Sequence, residues 1–205
     1  MRQALVLALV VLVGVGTSIY LRSVRLGGDA LPDRVLAQRL SGDAGAPSYG
    51  PADASVAITV FTDYQCPACR KAHGAMLAAM AKDGDTRIVF RDFPVFGQIS
   101  QDAARVALAT QGQGIYPQVH DALMRESRRL SADVMHRIVT REGGSWVDVL
   151  AAIERGGPSA RLGANRRDAM MLGVAGTPTY VIGRHRYVGA LSETQFARAI
   201  ARARK

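Results

Sequence analysis

The stretch FTDYQCPACRKAH, from Phe61 to His73, contains both cysteines of the chain, separated by Pro67 and Ala68. A β-branched run from Val56 to Phe61 precedes the cysteines and predicts a buried strand, and residues 67–82 predict a helix. Proline is tolerated in a first helical turn, so Cys66 is predicted to lie at a strand-to-helix junction. The pair could be a structural disulfide, half of a metal site or a reactive dithiol.

Three interpretations of Cys66 and Cys69 differ in what they need from the rest of the chain. A disulfide across so short a loop stabilises a fold by only about 2 kcal/mol. A zinc site needs four ligands, and His73 lies about two helical turns from Cys66, too far to bind the same ion as both thiols. Another chain would therefore have to complete a metal site.

The reactive interpretation uses every local feature. A thiol at a helix N-terminus is expected to form the nucleophilic thiolate, because the unsatisfied N–H groups and the helix dipole stabilise a negative sulfur. Cys69, one turn later, can then attack a mixed disulfide between Cys66 and a client protein. The sequence therefore favours a solvent-reachable Cys66 as the nucleophile and Cys69 as the resolving thiol.

The remaining pattern predicts one α/β domain. The chain has 205 residues with 48% apolar and 21% charged residues, as in a globular protein. Thr86 to Phe93 predicts a second strand, and residues 98–173 predict four or five short helices. Thr179 to Ile182 and His185 to Val188 predict a hairpin, and Ser192-x-x-Gln195 predicts a capping box before a last helix. His73 and His120 are expected to pack or to lie on a helix surface rather than to bind ligands.

Four segments together resemble the DsbA-like branch of the thioredoxin superfamily: FTDYQCPACRKAH, RDFPVFG at 91–97, AARVALATQ at 103–111 and GTPTYVIG at 176–183. The resemblance covers nearly all of residues 50–205. It implies an α/β thioredoxin fold with an inserted all-helical subdomain, and no cofactor or metal beyond a redox-active disulfide.

The resemblance also implies site residues. Thr177 and Pro178 would form a cis-proline loop that faces the cysteines, where the backbone of Thr177 can pair with an extended client peptide. Supporting positions are Pro67, Ala68, Asp63 and Gly176.

Two departures from the family pattern affect the expected chemistry. Many relatives carry a buried acid six positions before the first cysteine, where this chain has Val60. We therefore expect water or another group, such as Asp63, to assist proton transfer at Cys69, or else a slower reaction of Cys69. The dipeptide between the cysteines is Pro-Ala, not the Pro-His of strongly oxidising members, so we expect a less oxidising pair.

The N-terminal segment predicts membrane targeting. Residues 4–21 form an uncharged, mostly apolar run of 18 residues, which favours an uncleaved anchor over a signal peptide removed by cleavage. The predicted organisation is an anchor or signal segment over 1–26, a tether over 27–54 and the thioredoxin domain over 55–205. The expected location is the bacterial inner membrane with the domain in the periplasm, or a soluble periplasmic form after cleavage.

Charge restricts the expected partners. The chain has 26 basic and 17 acidic residues, a formal net charge of +9, which favours anionic lipid or acidic partners. No aromatic interleaving or nucleic-acid motif accompanies these charges, so nucleic acid is not an expected partner.

The sequence as a whole predicts an extracytoplasmic thiol-disulfide oxidoreductase that acts on client proteins and is recycled by an unidentified redox partner. Oxidant ranks first, because an isomerase usually needs two active sites in one assembly and no dimerisation domain is evident before residue 50. An isomerase, or a reductant as in cytochrome maturation, stays open. So does a non-enzymatic tethered binding or metal module.

Overall fold

The structure, a computed structural model, describes residues 28–31 and 34–205. The segment predicted to enter the membrane, residues 4–21, and the whole predicted anchor over 1–26 lie outside these ranges. Within the described ranges, none of the helices combines the length and the hydropathy that crossing a bilayer requires.

Strands and helices follow one another in the order strand, helix, strand, helical block, strand, strand, helix, with a short strand-helix-strand segment in front. Their bounds are β1 Asp29–Ala30, α1 Arg34–Ser41, β2 Ser48–Tyr49, β3 Val56–Thr62, α2 Pro67–Asp83, β4 Thr86–Asp92, α3 Gln98–Ala109, α4 Tyr116–Arg125, α5 Ala132–Arg141, α6 Trp146–Glu154, α7 Gly157–Met171, β5 Thr179–Ile182, β6 His185–Val188 and α8 Glu193–Ala203.

One mixed sheet of six described strands organises the domain, in the order β1-β6-β5-β3-β4-β2. The central strand β3 pairs in parallel with β4, from Val56 opposite Thr86 to Thr62 opposite Asp92. It pairs antiparallel with β5 on its other side. The last residues of β3 therefore lie next to the start of β5, where the cysteine segment and the segment before Thr179 meet.

Two groups of buried apolar residues cover the two faces of the sheet. The larger includes Ile58, Val60, Phe90 and Tyr180 from the strands, together with buried residues of α2, α3 and α8. The smaller contains Phe61 and Val181 from the sheet and buried residues of α1 and α7. Alternate strand residues face opposite sides, so Val60 and Phe61 belong to different cores.

Helix α2 begins and ends where its sequence predicts. Cys66 is the N-cap with an extended backbone, and Pro67 occupies the first turn, where its missing N–H costs nothing. Gly84 ends the helix in the left-handed conformation, with φ 74°, and its N–H donates to the carbonyl of Met80. Glycine suits this position because it has no Cβ to resist a positive φ.

The predicted helical insertion is confirmed. Five α-helices, α3 to α7, occupy residues 98–171 in the described chain, between β4 and β5. The buried apolar side chains of α3 to α6 join the larger core, with Val119, Leu123, Ile138 and Val149 fully enclosed, whereas Ala169 of α7 belongs to the smaller core.

Residues 28–31 and 34–54 contain more regular structure than the predicted tether over 27–54 implies. Within it, α1 places Ala37 and Leu40 in the smaller core, and β1 and β2 form the two edges of the sheet. The physical reason is that a short amphipathic helix and two-residue strands gain their stability from tertiary packing, which local periodicity does not reveal.

The predicted capping box at α8 is confirmed and carries a stability prediction. The Ser192 hydroxyl accepts from the Gln195 N–H at 3.4 Å, and the Gln195 side chain accepts from the Ser192 N–H at 2.7 Å. Ser192→Ala should lower the free energy of unfolding by about 1 kcal/mol, because the Gln195 N–H loses its partner. Urea unfolding followed by circular dichroism measures it.

Ser127, an exposed serine in the loop before α5, supplies the matched control for this prediction. Ser127→Ala should change the free energy of unfolding by less than about 0.5 kcal/mol. Equal effects of the two substitutions would contradict a capping role for Ser192.

Candidate active site

Cys66 lies at the start of α2, at the end of the connection from β3, and contacts the loop before β5. Its Sγ accepts the Cys69 N–H at 3.4 Å, and its S–H donates to the Thr177 carbonyl at 3.3 Å. Both cysteines are free thiols. A sulfur that caps a helix and touches an extended loop is placed for attack on a bound disulfide.

The exposure of Cys66 differs from the expected one. The residue is only 2% exposed, because the Thr177 loop lies against its sulfur. Its neighbour Pro67 is exposed, and Ala68, Gly176 and Thr177 are partly exposed. The Cys66 thiol is therefore buried just below the protein surface, and the prediction of a solvent-reachable thiol was wrong.

Cys69 lies one turn deeper and is 3% exposed. Burial raises the pKa of its thiol to about 12, although hydrogen bonding by the Asp63 backbone and the Thr62 side chain opposes the rise. At neutral pH this thiol is protonated. It becomes nucleophilic only if another group accepts its proton.

The Thr177–Pro178 bond is cis, as the family resemblance implied. Pro178 is buried, and its carbonyl accepts the Gly189 N–H at 2.9 Å. The Gly176 carbonyl accepts the Thr179 hydroxyl at 2.7 Å. These bonds position the Thr177 carbonyl opposite Cys66, so Gly176 supports the site through its backbone.

Asp63 supports the loop beside the cysteines. Its buried carboxylate accepts from the N–H groups of Gln65, Val95 and Phe96 at 2.7, 2.6 and 3.1 Å, and from the Ser100 hydroxyl at 2.8 Å. Four hydrogen bonds occupy the two carboxylate oxygens. The structure thus gives the Asp63 side chain a positioning role, which differs from the expected help to Cys69.

A buried acid that the sequence analysis overlooked lies on the neighbouring strand. Asp92 is 1% exposed and accepts the Tyr116 hydroxyl at 2.8 Å. Burial raises its pKa to about 7; hydrogen bonds from Tyr116 and Tyr64 oppose the rise and the charge of Asp63 adds to it. The signal was present in the alternation of TRIVFRD, which places Asp92 on the same face as the apolar Ile88 and Phe90.

Two histidines complete this polar interior. His120 Nδ1 lies 2.8 Å from the Tyr64 hydroxyl and 3.3 Å from the Tyr116 hydroxyl. His73 Nε2 lies 2.8 Å from the Asp121 carboxylate. Burial lowers the pKa of both imidazoles, that of His120 well below its usual value. Both residues pack with polar partners, in keeping with the sequence prediction.

Comparison with known proteins places the chain in a family. A family model described as thioredoxin matches residues 43–202. A thioredoxin-like oxidoreductase from Silicibacter pomeroyi is 32% identical with a TM-score of 0.78, over 82% of this chain and 96% of that one. The thiol-disulfide exchange protein α-DsbA2 from Wolbachia pipientis is 26% identical with a TM-score of 0.74, over 80% and 90% of the two chains.

Curated relatives match through a part of their length. The Na⁺/H⁺ antiporter NhaA of Nitrosospira multiformis is 32% identical over 152 residues, which are 72% of this chain and 24% of the antiporter. This chain spans about a quarter of the length of the curated relatives it matches.

Proposed function

Because the chain belongs to the DsbA-like thiol-disulfide oxidoreductases of the thioredoxin superfamily, we propose that it oxidises client proteins outside the cytoplasm through Cys66 and Cys69. The observation that carries the proposal is the position of Cys66 Sγ, at the N-cap of α2 and 3.3 Å from the Thr177 carbonyl. This arrangement puts a nucleophilic sulfur next to a backbone carbonyl that a client backbone could bind.

The client would bind as an extended strand along the Thr177 loop. A backbone N–H of the client would donate to the Thr177 carbonyl in place of the Cys66 S–H. Binding of the client would therefore also expose the Cys66 sulfur. Such coupling accounts for a reactive thiol that is covered before a client binds.

Oxidation of a client proceeds in two exchanges. A client thiolate attacks Sγ of Cys66 in the Cys66–Cys69 disulfide, the S–S bond breaks, and the Cys69 sulfur leaves and gains a proton. A second client thiolate then attacks the client sulfur of the mixed disulfide, and Cys66 leaves as a thiolate. The client loses two electrons, the cysteine pair gains them, and a redox partner must reoxidise the pair.

Location follows from the chemistry. Stable protein disulfides belong to oxidising compartments, and the apolar run over 4–21 is a targeting signal of the kind that leads there. We place the domain in the periplasm, tethered to the inner membrane by that run.

The test is transfer of a disulfide to a reduced client. The oxidised full chain is mixed with reduced, unfolded ribonuclease A, and its own equilibrium with glutathione is measured. We expect client disulfides to form, and a potential between about −120 mV, that of a strong oxidant, and about −270 mV, that of thioredoxin.

Two results would contradict an oxidant role. A potential at or below about −270 mV, with faster reduction than oxidation of the client, would assign a reductant. One zinc per two chains, with thiols that do not react with alkylating reagents, would assign the non-enzymatic binding or metal module.

A further inference from the structure

The last turns of α7 expose two arginines and two methionines on one side of the helix. Arg166 and Arg167 are exposed, and Met170 and Met171 are 64% and 55% exposed. Residues three and four apart on a helix are neighbours, so each arginine lies next to a methionine one turn later. The opposite side of the helix packs Ala169 into the smaller core. This end of α7 therefore has one buried face and one exposed face that is both basic and apolar.

The exposed face of α7 adjoins helix α1. A shallow groove of about 860 Å³ is lined by Arg39 of α1 and by Arg167, Met170 and Met171 of α7. Arg39 is itself 60% exposed at its side chain. Exposed apolar groups that lie together and are rimmed by polar residues are typical of a surface that binds a protein or a membrane. We call Arg39, Arg166, Arg167, Met170 and Met171 the α1–α7 patch.

The α1–α7 patch is positively charged. Residues 155–192 contain six arginines and a single acid, Asp168. The Asp168 carboxylate is already bound, by Arg39 at 3.3 Å and by a buried arginine at 3.5 Å. Arg166 and Arg167, in contrast, form no hydrogen bond or ion pair with another residue of the described ranges. Their charges are therefore available to an anionic partner.

The patch lies close to the point where the chain arrives from the apolar run over 4–21. The run ends at Leu21, eight residues before β1 begins at Asp29. Eight residues span at most about 29 Å, which is less than the roughly 40 Å width of a domain of this size. Arg186 connects β1 to the end of α7, because it donates to the Asp29 carboxylate at 3.2 Å and to the Leu172 carbonyl at 2.7 Å. A chain held in a bilayer by residues 4–21 therefore brings this side of the domain to the bilayer surface.

We propose that the α1–α7 patch binds the surface of a bilayer that contains anionic phospholipid. This inference rests on the membrane tether of the proposed function and not on the direction of disulfide exchange. The guanidinium groups of Arg166 and Arg167 would donate hydrogen bonds to lipid phosphates, a geometry that suits arginine. Met170 and Met171 would enter the boundary between head groups and acyl chains, as the apolar face of an interfacial helix does.

Binding of the patch would fix the position of the active site relative to the membrane. Met171 ends α7, and Thr177 follows six residues later in the connection to β5. Six residues span at most about 22 Å. The client-binding loop would therefore stay near the bilayer surface, and the clients best placed to reach it are proteins that are themselves held at that membrane.

The experiment follows the methionine methyl groups of the full chain by NMR. The isotope-labelled chain is placed in lipid nanodiscs of phosphatidylcholine alone, or of an equal mixture of phosphatidylcholine and phosphatidylglycerol. A lipid with a gadolinium-labelled head group broadens the signals of nearby methyl groups. The signals of Met170 and Met171 should broaden strongly with phosphatidylglycerol and much less without it. Met124 and Met135, which are buried in α4 and α5, are internal controls and should not respond to the lipid.

The double variant Arg166→Glu/Arg167→Glu should lose most of this broadening. Each basic residue near an anionic membrane surface favours binding by about fivefold. Reversal of two charges should therefore lower the ratio of bound to unbound domain by at least about 25-fold. Higher salt should also reverse the broadening in the parent chain, because salt screens exposed charges. The salt series decides the question if the variant does not fold.

Arg155→Glu/Arg198→Glu is the matched control. Both residues are exposed arginines outside the patch, and their substitution changes the net charge by the same amount. The Met170 and Met171 signals of this variant should broaden as in the parent chain. Equal losses in the two double variants would show that overall charge, and not the patch, holds the domain at the surface.

The outcomes distinguish this inference from the proposed function. Equal broadening in the two lipid mixtures, with the chain retained in the discs, would overturn binding by the patch and leave the tether intact. A change at Met170 and Met171 with reduced, unfolded ribonuclease A, and none with phosphatidylglycerol, would assign the patch to client proteins instead. Release of the chain from liposomes by alkaline carbonate would overturn the tether itself. Failure of disulfide transfer alone would overturn the proposed redox activity and leave membrane binding in place.

Discussion

Cys69→Ser should accumulate covalent complexes with client proteins, whereas Cys66→Ser should form none. The first variant keeps the sulfur that contacts the Thr177 carbonyl but has no thiol one turn below to resolve the mixed disulfide. The second keeps only a thiol whose pKa is about 12, so its thiolate is scarce at neutral pH. Non-reducing gels and mass spectrometry of alkylated extracts measure both.

The control for this prediction is the double variant, which should trap nothing. Because Cys66 is only 2% exposed, the experiment also tests whether a client can uncover it. Complexes that form with Cys66→Ser and not with Cys69→Ser would reverse the two roles.

Arg91→Met should lower the free energy of unfolding by about 2–3 kcal/mol, because a buried carbonyl and two partly exposed carboxylates lose a charged donor. Arg91 is 1% exposed, and its guanidinium binds the Asp43 carboxylate at 2.8 Å, the Asp168 carboxylate at 3.5 Å and the Leu40 carbonyl at 2.9 Å. Methionine fills much of the space but leaves both carboxylates without this charge. Denaturant unfolding of the full chain gives the value.

Arg39→Met is the matched control, because Arg39 is a second arginine that contacts Asp168. The Arg39 side chain is 60% exposed and lies 3.3 Å from Asp168, so its loss should cost less than about 1 kcal/mol. Similar losses in both variants would show that the buried ion pairs do not hold the N-terminal segment to α7.

The parts of the fold that the sequence predicted correctly are those in which local pattern and tertiary packing agree. The β-branched run at Val56 and the hairpin strands at Thr179 and His185 appear with bounds close to the predicted ones. The second strand ends at Asp92, one residue before the predicted Phe93. The position of Cys66 at the start of α2 was predictable, because Pro67 follows a buried strand and proline is favoured in the first turn of a helix.

The missed features depend on contacts between distant parts of the chain. Asp92 has no neighbour in sequence that marks it as a buried acid, and only the packing of α4 against β4 brings its carboxylate to the Tyr116 hydroxyl. The burial of Cys66 likewise depends on Thr177, 111 residues away. The placement of residues 29–31 and 34–49 comes from edge pairing and from the Arg91 ion pairs, which local periodicity does not indicate.

Both margins of the sheet are formed by the chain that precedes the central strand β3. It supplies β1 at one margin and β2 at the other, and each of these strands has two residues. Strands this short leave few unpaired backbone groups on which another polypeptide could add itself. A protein that handles unfolded chains is exposed to that hazard at every encounter, since such chains readily extend any open sheet. Under the proposed function, the capped margins would direct backbone pairing by a client to the loop at Thr177, where the sulfur lies, and would protect the domain from pairing edge to edge with its own copies or its substrates.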